Sequence, residues 1–480
     1  MKQFVPLKKD KSSPPLYIQL YRHIKGEILE GNLSVGERLP SLREISLGSG
    51  LSLTTSSKAY DQLLTEGYIL NRPQSGYYVA EIPTRPMGMI ADSKSLGTPR
   101  ESGMAHHPDF DDYTFTRDGY LHDLSSFDFL KWKKCSARVF TEYADMLLFE
   151  SDVQGEAALR FEICKYLYSS RGVTARPEQV VIGAGTQQLT THLGRILTKM
   201  GIDLICTEDP GYAPIQNIFR DRGFGIAKIP VGKDGIEISR LPANIPTAVY
   251  VSPANQFPTG SVMPIGARYK LLQWAHENGS IILEDDYDSE LRYFGKPVPA
   301  LHGLDENQRT VYLGSFSSTL FPAVKISYMI LPDEMAEIFS SIKADYTQTC
   351  SKSEQLTLAL FMEDGYYYTN IKKLRSLYSQ KLQAAIEAFG RWAPGFVSAT
   401  NTKSGISMTL KVNSSKPSKV LCDMGKSLGL HLLPLDLAFP AAYGSGSKNE
   451  KYLIFYFNQV PLDEISSSIR DLVTAWKKES

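Results

Sequence analysis

The run Ile281-Ile282-Leu283, passing directly into Glu284-Asp285-Asp286-Tyr287-Asp288-Ser289-Glu290, constrains the fold more than any other stretch. Three consecutive apolar residues suit a strand buried on both faces, which predicts a parallel sheet covered by helices. In open α/β sheets ligands sit beyond the carboxyl ends of the strands, so the acids mark where a ligand is to be sought. A carboxylate at Asp285 and a phenol at Tyr287, two residues apart on a strand, point the same way. Together they can grip one heteroaromatic ring, the carboxylate holding a protonated ring nitrogen and the phenol a ring oxygen. A strand ending in a solvated acidic turn satisfies the same residues. No metal is expected, since no Asp-x-Asp-x-Asp-Gly loop follows and no histidine lies nearby.

At 480 residues the chain exceeds one ordinary core, so two or more domains are expected. Lysine plus arginine (52) equals aspartate plus glutamate (52), so any polyanionic partner must be met by a local surface. Five scattered cysteines without a Cys-x-x-Cys pair fit reduced, buried thiols rather than a disulfide or zinc framework. The amino end lacks an apolar signal core and no apolar run is long enough for a bilayer, so a cytoplasmic protein without membrane contact is expected.

In the first eighty residues, Tyr17, Leu20, Tyr21, Ile24 and Ile28 recur at helical spacing before Gly31. Ser41 and Glu44 form a Ser-x-x-Glu capping box that starts a second, short helix. A third helix is capped by Ser52 and runs to Glu66, with Ala59, Tyr60, Leu63 and Leu64 inward and Gly67 closing it. Tyr68-Ile69-Leu70 and Tyr77-Tyr78-Val79 then bracket a hairpin. Three helices and a hairpin make either a winged helix-turn-helix or a small packing module without nucleic-acid function. Charge does not choose, because residues 1–80 hold ten Lys/Arg against seven Asp/Glu.

The residues Leu39-Pro40-Ser41-Leu42-Arg43-Glu44, Ala59-Tyr60-Asp61-Gln62-Leu63 and Glu66-Gly67-Tyr68, with Ser75-Gly76, resemble the DNA-binding domain of GntR-type bacterial repressors. The resemblance implies that Arg43 and the face carrying Ser52, Thr54, Thr55, Ser57 and Lys58 meet DNA, while Gly76 shapes the wing. Leu53 stands where that family usually has an arginine, which removes one contact or substitutes apolar contact with a thymine methyl. Beyond residue 80 the apolar period vanishes among Pro83, Pro86, Pro99 and Pro108, as in a flexible linker or an arm lying on the next domain.

Further on, Val180-Val181-Ile182 leads into Gly183-Ala184-Gly185-Thr186-Gln187-Gln188 and a periodic helix. A strand, a glycine turn and a helix amino end can hold a phosphate on free backbone N–H groups. It is not a dinucleotide fingerprint, since Gln188 occupies the place of the third glycine. Leu204-Ile205-Cys206 ends in Glu208-Asp209-Pro210-Gly211-Tyr212, and Tyr250-Val251 ends in Ser252-Pro253-Ala254-Asn255-Gln256-Phe257-Pro258-Thr259-Gly260. Each is compatible with an ordinary loop. Their joint order before Asp285 and Tyr287 is what carries information.

That order resembles fold-type I pyridoxal-phosphate aminotransferases, and with the GntR-like head the whole chain resembles the MocR family of bacterial transcription regulators. The resemblance implies an α/β protein: an N-terminal winged helix-turn-helix, then a large PLP-transferase-like domain with a mostly parallel sheet flanked by helices and a smaller C-terminal α+β subdomain. The expected boundaries are 1–80 for the DNA-binding domain, 81–115 for a linker and 116–480 for an effector-binding and dimerisation domain. Carried over residue by residue, Gly185, Thr186 and Gln187 fall to the phosphate, Tyr212 to stacking on the pyridine and Asn255 near the ring oxygen. Asp285 falls to the pyridine nitrogen and Tyr287 to the phenolic oxygen, with Ser315, Ser317 and Lys325 completing the cofactor set.

Three departures matter. After Ser315-Phe316-Ser317 the family has the lysine whose amine bonds to pyridoxal phosphate, and here stands Ser318. A hydroxyl cannot form that bond. Lys325 replaces a phosphate-binding arginine and loses its planar fork, though its register argues against its serving as the missing amine. Gln459, after Leu453-Ile454-Phe455-Tyr456-Phe457-Asn458, is read as replacing the arginine that clamps a substrate carboxylate. The expectation is therefore a homodimeric regulator of a double-stranded DNA operator whose second domain senses a small effector without a covalent bond, and not an enzyme. Pyridoxal phosphate is non-covalent at best or absent. A working aminotransferase with an accessory head, and a scaffold with an empty site, are the alternatives.

Overall fold

The computed structural model describes residues 14–81, 123–293, 298–402, 404–444 and 449–478. The chain divides into Met1–Thr114 and Phe115–Ser480, described here one by one. The linker expected over 81–115 lies, apart from Glu81, outside the described residues.

In the first unit, helices α1 (Leu16–Leu29), α2 (Leu42–Ser49) and α3 (Leu53–Thr65) precede a hairpin of β1 (Ile69–Arg72) and β2 (Gly76–Val79). The capping box forms as the residues require: Ser41 accepts from the Glu44 N–H at 3.3 Å and Glu44 accepts from the Ser41 N–H at 2.7 Å. Ser52 caps α3 by accepting from the Thr55 N–H at 3.1 Å. Ala59, Tyr60 and Leu63, spaced to share one face of α3, are fully buried against Leu20 and Ile24 of α1. Gly76 enters β2 at φ +106°, a left-handed conformation that glycine adopts without strain.

The second unit is built on an eight-stranded sheet in the order β3-β10-β9-β8-β7-β4-β5-β6. Its strands are β3 (Val180–Gly183), β4 (Leu204–Asp209), β5 (Gly225–Gly232), β6 (Gly235–Ile236), β7 (Ala248–Val251), β8 (Ile281–Asp285), β9 (Thr310–Ser315) and β10 (Ser327–Ile330). Neighbours β5-β4-β7-β8-β9 are parallel, whereas β10 runs antiparallel to β9 and β3, and β6 to β5. Every residue of β7 and the first four of β8 are buried, as the apolar run demands. Helices α4 (Phe129–Glu142), α5 (Ala157–Arg171), α6 (Thr186–Lys199), α7 (Ala213–Asp221) and α8 (Ile265–Glu277) belong to the layers that cover the sheet. A smaller four-stranded antiparallel sheet packs on the 27-residue helix Tyr366–Trp392 and on Ile465–Lys477. Its strands are β11 (Val397–Thr400), β12 (Met408–Asn413), β13 (Leu432–Pro434) and β14 (Glu450–Phe455), ordered β11-β12-β14-β13. Among the described residues no helix is long and apolar enough to cross a membrane.

Tyr60 locks the first unit: its ring meets Tyr77 edge-on at 4.9 Å and its hydroxyl donates to the Pro40 carbonyl at 2.9 Å. Tyr60→Phe removes that hydrogen bond at a half-buried carbonyl and should cost about 1 kcal/mol. A lowered denaturation midpoint of the first unit, with near-native helix content, checks it.

Candidate functional site

Strands β3, β4, β7, β8 and β9 all end at one edge of the sheet, and their following loops close on a cavity of about 360 Å³. The cavity is lined by Thr186, Tyr212, Asn255, Asp285, Tyr287, Ser315 and Ser317, brought together from five separate stretches of the chain, and by Ser318. Gly185, Gln187 and Lys325 do not line it. Gly185 instead caps α6 at φ +93°, Gln187 is exposed, and Lys325 is exposed on left-handed backbone at φ +49°.

The three acids that end β8 have separate partners. Glu284 accepts from the N–H groups of Leu301 and His302 at 2.8 and 2.9 Å, capping a short helix. Asp286 points into the protein, where Arg171 binds it with two N–H groups at 2.7 and 2.9 Å and Ser289 and Tyr312 also donate to it. Asp285 faces the cavity and accepts a hydrogen bond from Tyr250. The strand ends at Asp285, so Tyr287 reaches the cavity from the loop and not by strand alternation.

The turn between β3 and α6 is partly filled from within. Gln188 Oε1 accepts from the Ala184 N–H at 2.8 Å and from Thr349 at 2.5 Å, so the residue standing in the third glycine's place consumes one donor of the turn. Thr186, at the first turn of α6, together with Ser315 and Ser317 supplies the remaining polar groups suited to an anion. Asn255 is buried and accepts from Ser404 at 3.2 Å, linking the β7 loop to the segment before β12.

The structure corrects the reading of Gln459. That residue lies in a 3-10 turn, Phe457–Gln459, beyond β14 and outside the cavity lining. The β14 residue that lines the cavity is Ile454, with Tyr456 just after the strand. An apolar side chain therefore stands on this wall, and among the described lining residues none is lysine or arginine. The cavity carries two carboxylates instead, Asp285 and the buried Asp288, with Ser318 lining the same cavity. Asp288 lay within the quoted acidic stretch, but its left-handed backbone (φ +57°), which turns it inward, has no residue-type signal.

In the first unit Arg43, Ser52, Thr54 and Lys58 are exposed, while Thr55 and Ser57 are half-buried. Three of these hydroxyls are engaged locally: Ser52 pairs with Thr55 at 2.8 Å and Ser57 donates to Asp61 at 3.2 Å. Leu53 is half-exposed on the same helix start. Two exposed cations that the sequence reading passed over stand at the wing: Arg38, whose backbone pairs with Tyr78, and Arg72, whose guanidinium lies 4.5 Å from the Tyr78 ring centre.

Comparison with known proteins matches residues 120–423 to the aminotransferase class I and II family and residues 16–79 to the bacterial regulatory proteins of the gntR family. The chain is 36% identical to the HTH-type transcriptional regulator YdeL of Bacillus subtilis, over 96% of this chain and 97% of that one. It is 31% identical to the probable rhizopine catabolism regulatory protein MocR of Rhizobium meliloti, over 88% and 87%. The kynurenine aminotransferase of Pyrococcus horikoshii shares the fold at a TM-score of 0.62 and 24% identity, over 74% of this chain and 89% of that one.

Burial dominates the titration of the cavity. Asp285, though partly exposed to the cavity, is pushed up to about 7 and Asp288 to about 6, because enclosure penalises the charged form more than Tyr250 and Ser318 stabilise it. A carboxyl whose folded value exceeds its unfolded one keeps a proton that the unfolded chain releases, so its contribution to stability falls as pH rises from 3.8 towards 7 for Asp285. Asp285→Asn keeps an acceptor for Tyr250 without a charge to bury. The ligand-free variant should melt above the parent at pH 8, by a free-energy gain on the order of 1 kcal/mol or more, and the difference should close near pH 4. Calorimetric melts at the two pH values check it.

Proposed function

The chain belongs to the aminotransferase class I and II family and, with its gntR-family head, to the MocR-type HTH regulators, and from that premise we propose that it is a cytoplasmic, sequence-specific DNA-binding regulator. Its aminotransferase-like domain acts as a receptor for a pyridoxal-phosphate-related or amino-acid-derived effector held without a covalent bond. One observation carries the reading: a winged helix-turn-helix is joined in one chain to a ring-sized cavity whose described lining holds a serine at 318 and no lysine.

The donor set suits a vitamin B6 ring. Asp285 would hold the ring nitrogen, Tyr287 the phenolic oxygen, Tyr212 the ring face, and Thr186, Ser315 and Ser317 the phosphate. When bound, such a ring supplies an electron sink. This chain's residues can bind, orient and partly enclose it, but Ser318 offers no amine to bond an aldehyde. The aminotransferase relatives keep a second reading alive, in which the domain turns over. Borohydride reduction separates the two: after incubation with pyridoxal phosphate no labelled lysine is expected here, whereas a labelled peptide containing Lys325 would support catalysis.

On the DNA side, α3 enters the major groove carrying Lys58, with Arg43 of α2 as a further contact. The full chain should retard a duplex from its own upstream region, and Arg43→Ala should weaken that binding about tenfold. Absence of any retardation at low salt would refute the regulator reading.

A two-fold homodimer completes the proposal. Leu130 (79% exposed) on α4, Leu148 (84%) and Phe149 (72%) after it, and Phe161 (58%) on α5 present apolar surface that a partner copy would cover. Light scattering should give twice the 53.5 kDa chain mass, and Leu148→Asp with Phe149→Asp should shift it towards monomer.

A further inference from the structure

The receptor reading leaves open which chemical form of ring the cavity prefers, and the wall around residue 318 bears on it. Two carboxylates face the cavity, Asp285 beneath the place argued for the ring nitrogen and Asp288 beside Ser318. Among the described lining residues no lysine or arginine balances them. Asp288 is 4% exposed, so what freedom its carboxylate has is towards the cavity and not towards bulk water. Its backbone stands in the left-handed region at φ +57°. A carboxylate offers about four acceptor positions, and the Ser318 side chain lines the same cavity as Asp288. The phenols of Tyr287 and Tyr456 line the same cavity. Carboxylate, hydroxyl oxygen and aromatic walls together make a cradle for a cation.

We propose that Asp288 and Ser318 form a subsite for a primary ammonium group, and that the cavity selects a ring ligand carrying that amine, the class represented by pyridoxamine 5′-phosphate, over the corresponding aldehyde. The inference rests on the vitamin B6 reading of the cavity. A primary ammonium has three N–H donors, which Asp288 and the lone pairs of Ser318 can accept. An aldehyde at the same place brings only an acceptor and would set its oxygen against the Asp288 carboxylate. A lysine at 318 would fill the subsite with its own amine; a serine leaves that room to the ligand. The residue that removes covalent chemistry thus creates the selectivity.

Isothermal titration of the full chain with pyridoxamine 5′-phosphate and with pyridoxal 5′-phosphate, in amine-free buffer, tests this. The amine form should bind at least about tenfold more tightly, the worth of one hydrogen bond to a charged group. Asp288→Asn, whose side chain tolerates the left-handed backbone, should abolish that preference by weakening the amine form while leaving the aldehyde form unchanged or improved. Ser318→Ala should reduce the preference without abolishing it, and its unaltered melting profile would show that folding is intact. Equal affinities in the parent, or a preference that survives Asp288→Asn, would overturn the ammonium subsite and leave the B6 cavity standing. Failure of both probes to bind the parent would overturn the B6 reading itself, and the subsite with it.

Discussion

The paired hydrogen bonds from Arg171 to Asp286 hold the end of β8 in place, and the cavity depends on them. Both groups are almost fully buried, with side-chain exposures of 3% and 0%, so the pair exists only because geometry and further donors offset the cost of desolvating two charges. Tyr312 and Ser289 occupy the remaining acceptor positions of Asp286, while Arg171 also donates to the Val298 carbonyl at 2.6 Å. The last residue of α5 is thereby tied to the residue between Asp285 and Tyr287. With that middle residue fixed, its neighbours have little freedom except to face the cavity. Glu284, capping the short helix at Leu301, anchors the strand from the preceding side.

Charge is distributed in this cavity differently from what binding an acidic amino acid or a dicarboxylate requires. The described walls carry two carboxylates, hydroxyls, an amide and phenols, and β14 contributes Ile454. Such a surface cannot grip a substrate carboxylate with a bidentate fork. It can hold a ring nitrogen that is protonated and a second group that is cationic. The raised titration of Asp285 and Asp288 has its main cause in enclosure, which penalises their charged forms.

Much of this was legible in the residues because local rules and tertiary structure agree. The capping box at Ser41, the Ser52 cap and the inward face of Ala59, Tyr60 and Leu63 form as read, each being decided by hydrogen bonds or spacing within one or two turns. The apolar run at Ile281 reads as a strand buried on both sides, and of the two fates open to its acids the structure takes the one that puts Asp285 on the cavity rather than in a solvated turn. Where the reading erred, it relied on counting along the chain. Gln459 was placed by register on a strand that in fact ends at Phe455. Tyr287 was placed by alternation on a strand that ends at Asp285. Termini of strands depend on what the neighbouring strands can pair with, and that information lies in other parts of the chain.

By itself the sequence determined the order of elements, the three helices and hairpin of the head and the sheet edge with its acids, because residue identity and periodicity are properties of the chain alone. Only the tertiary structure decided that Asp288 turns inward to Ser318, that Gln188 fills the turn before α6, that Ile454 supplies the cavity wall and that Lys325 stands outside it. Those outcomes join residues up to 161 positions apart, as Gln188 and Thr349 are, and packing settles such contacts, where no local propensity reaches.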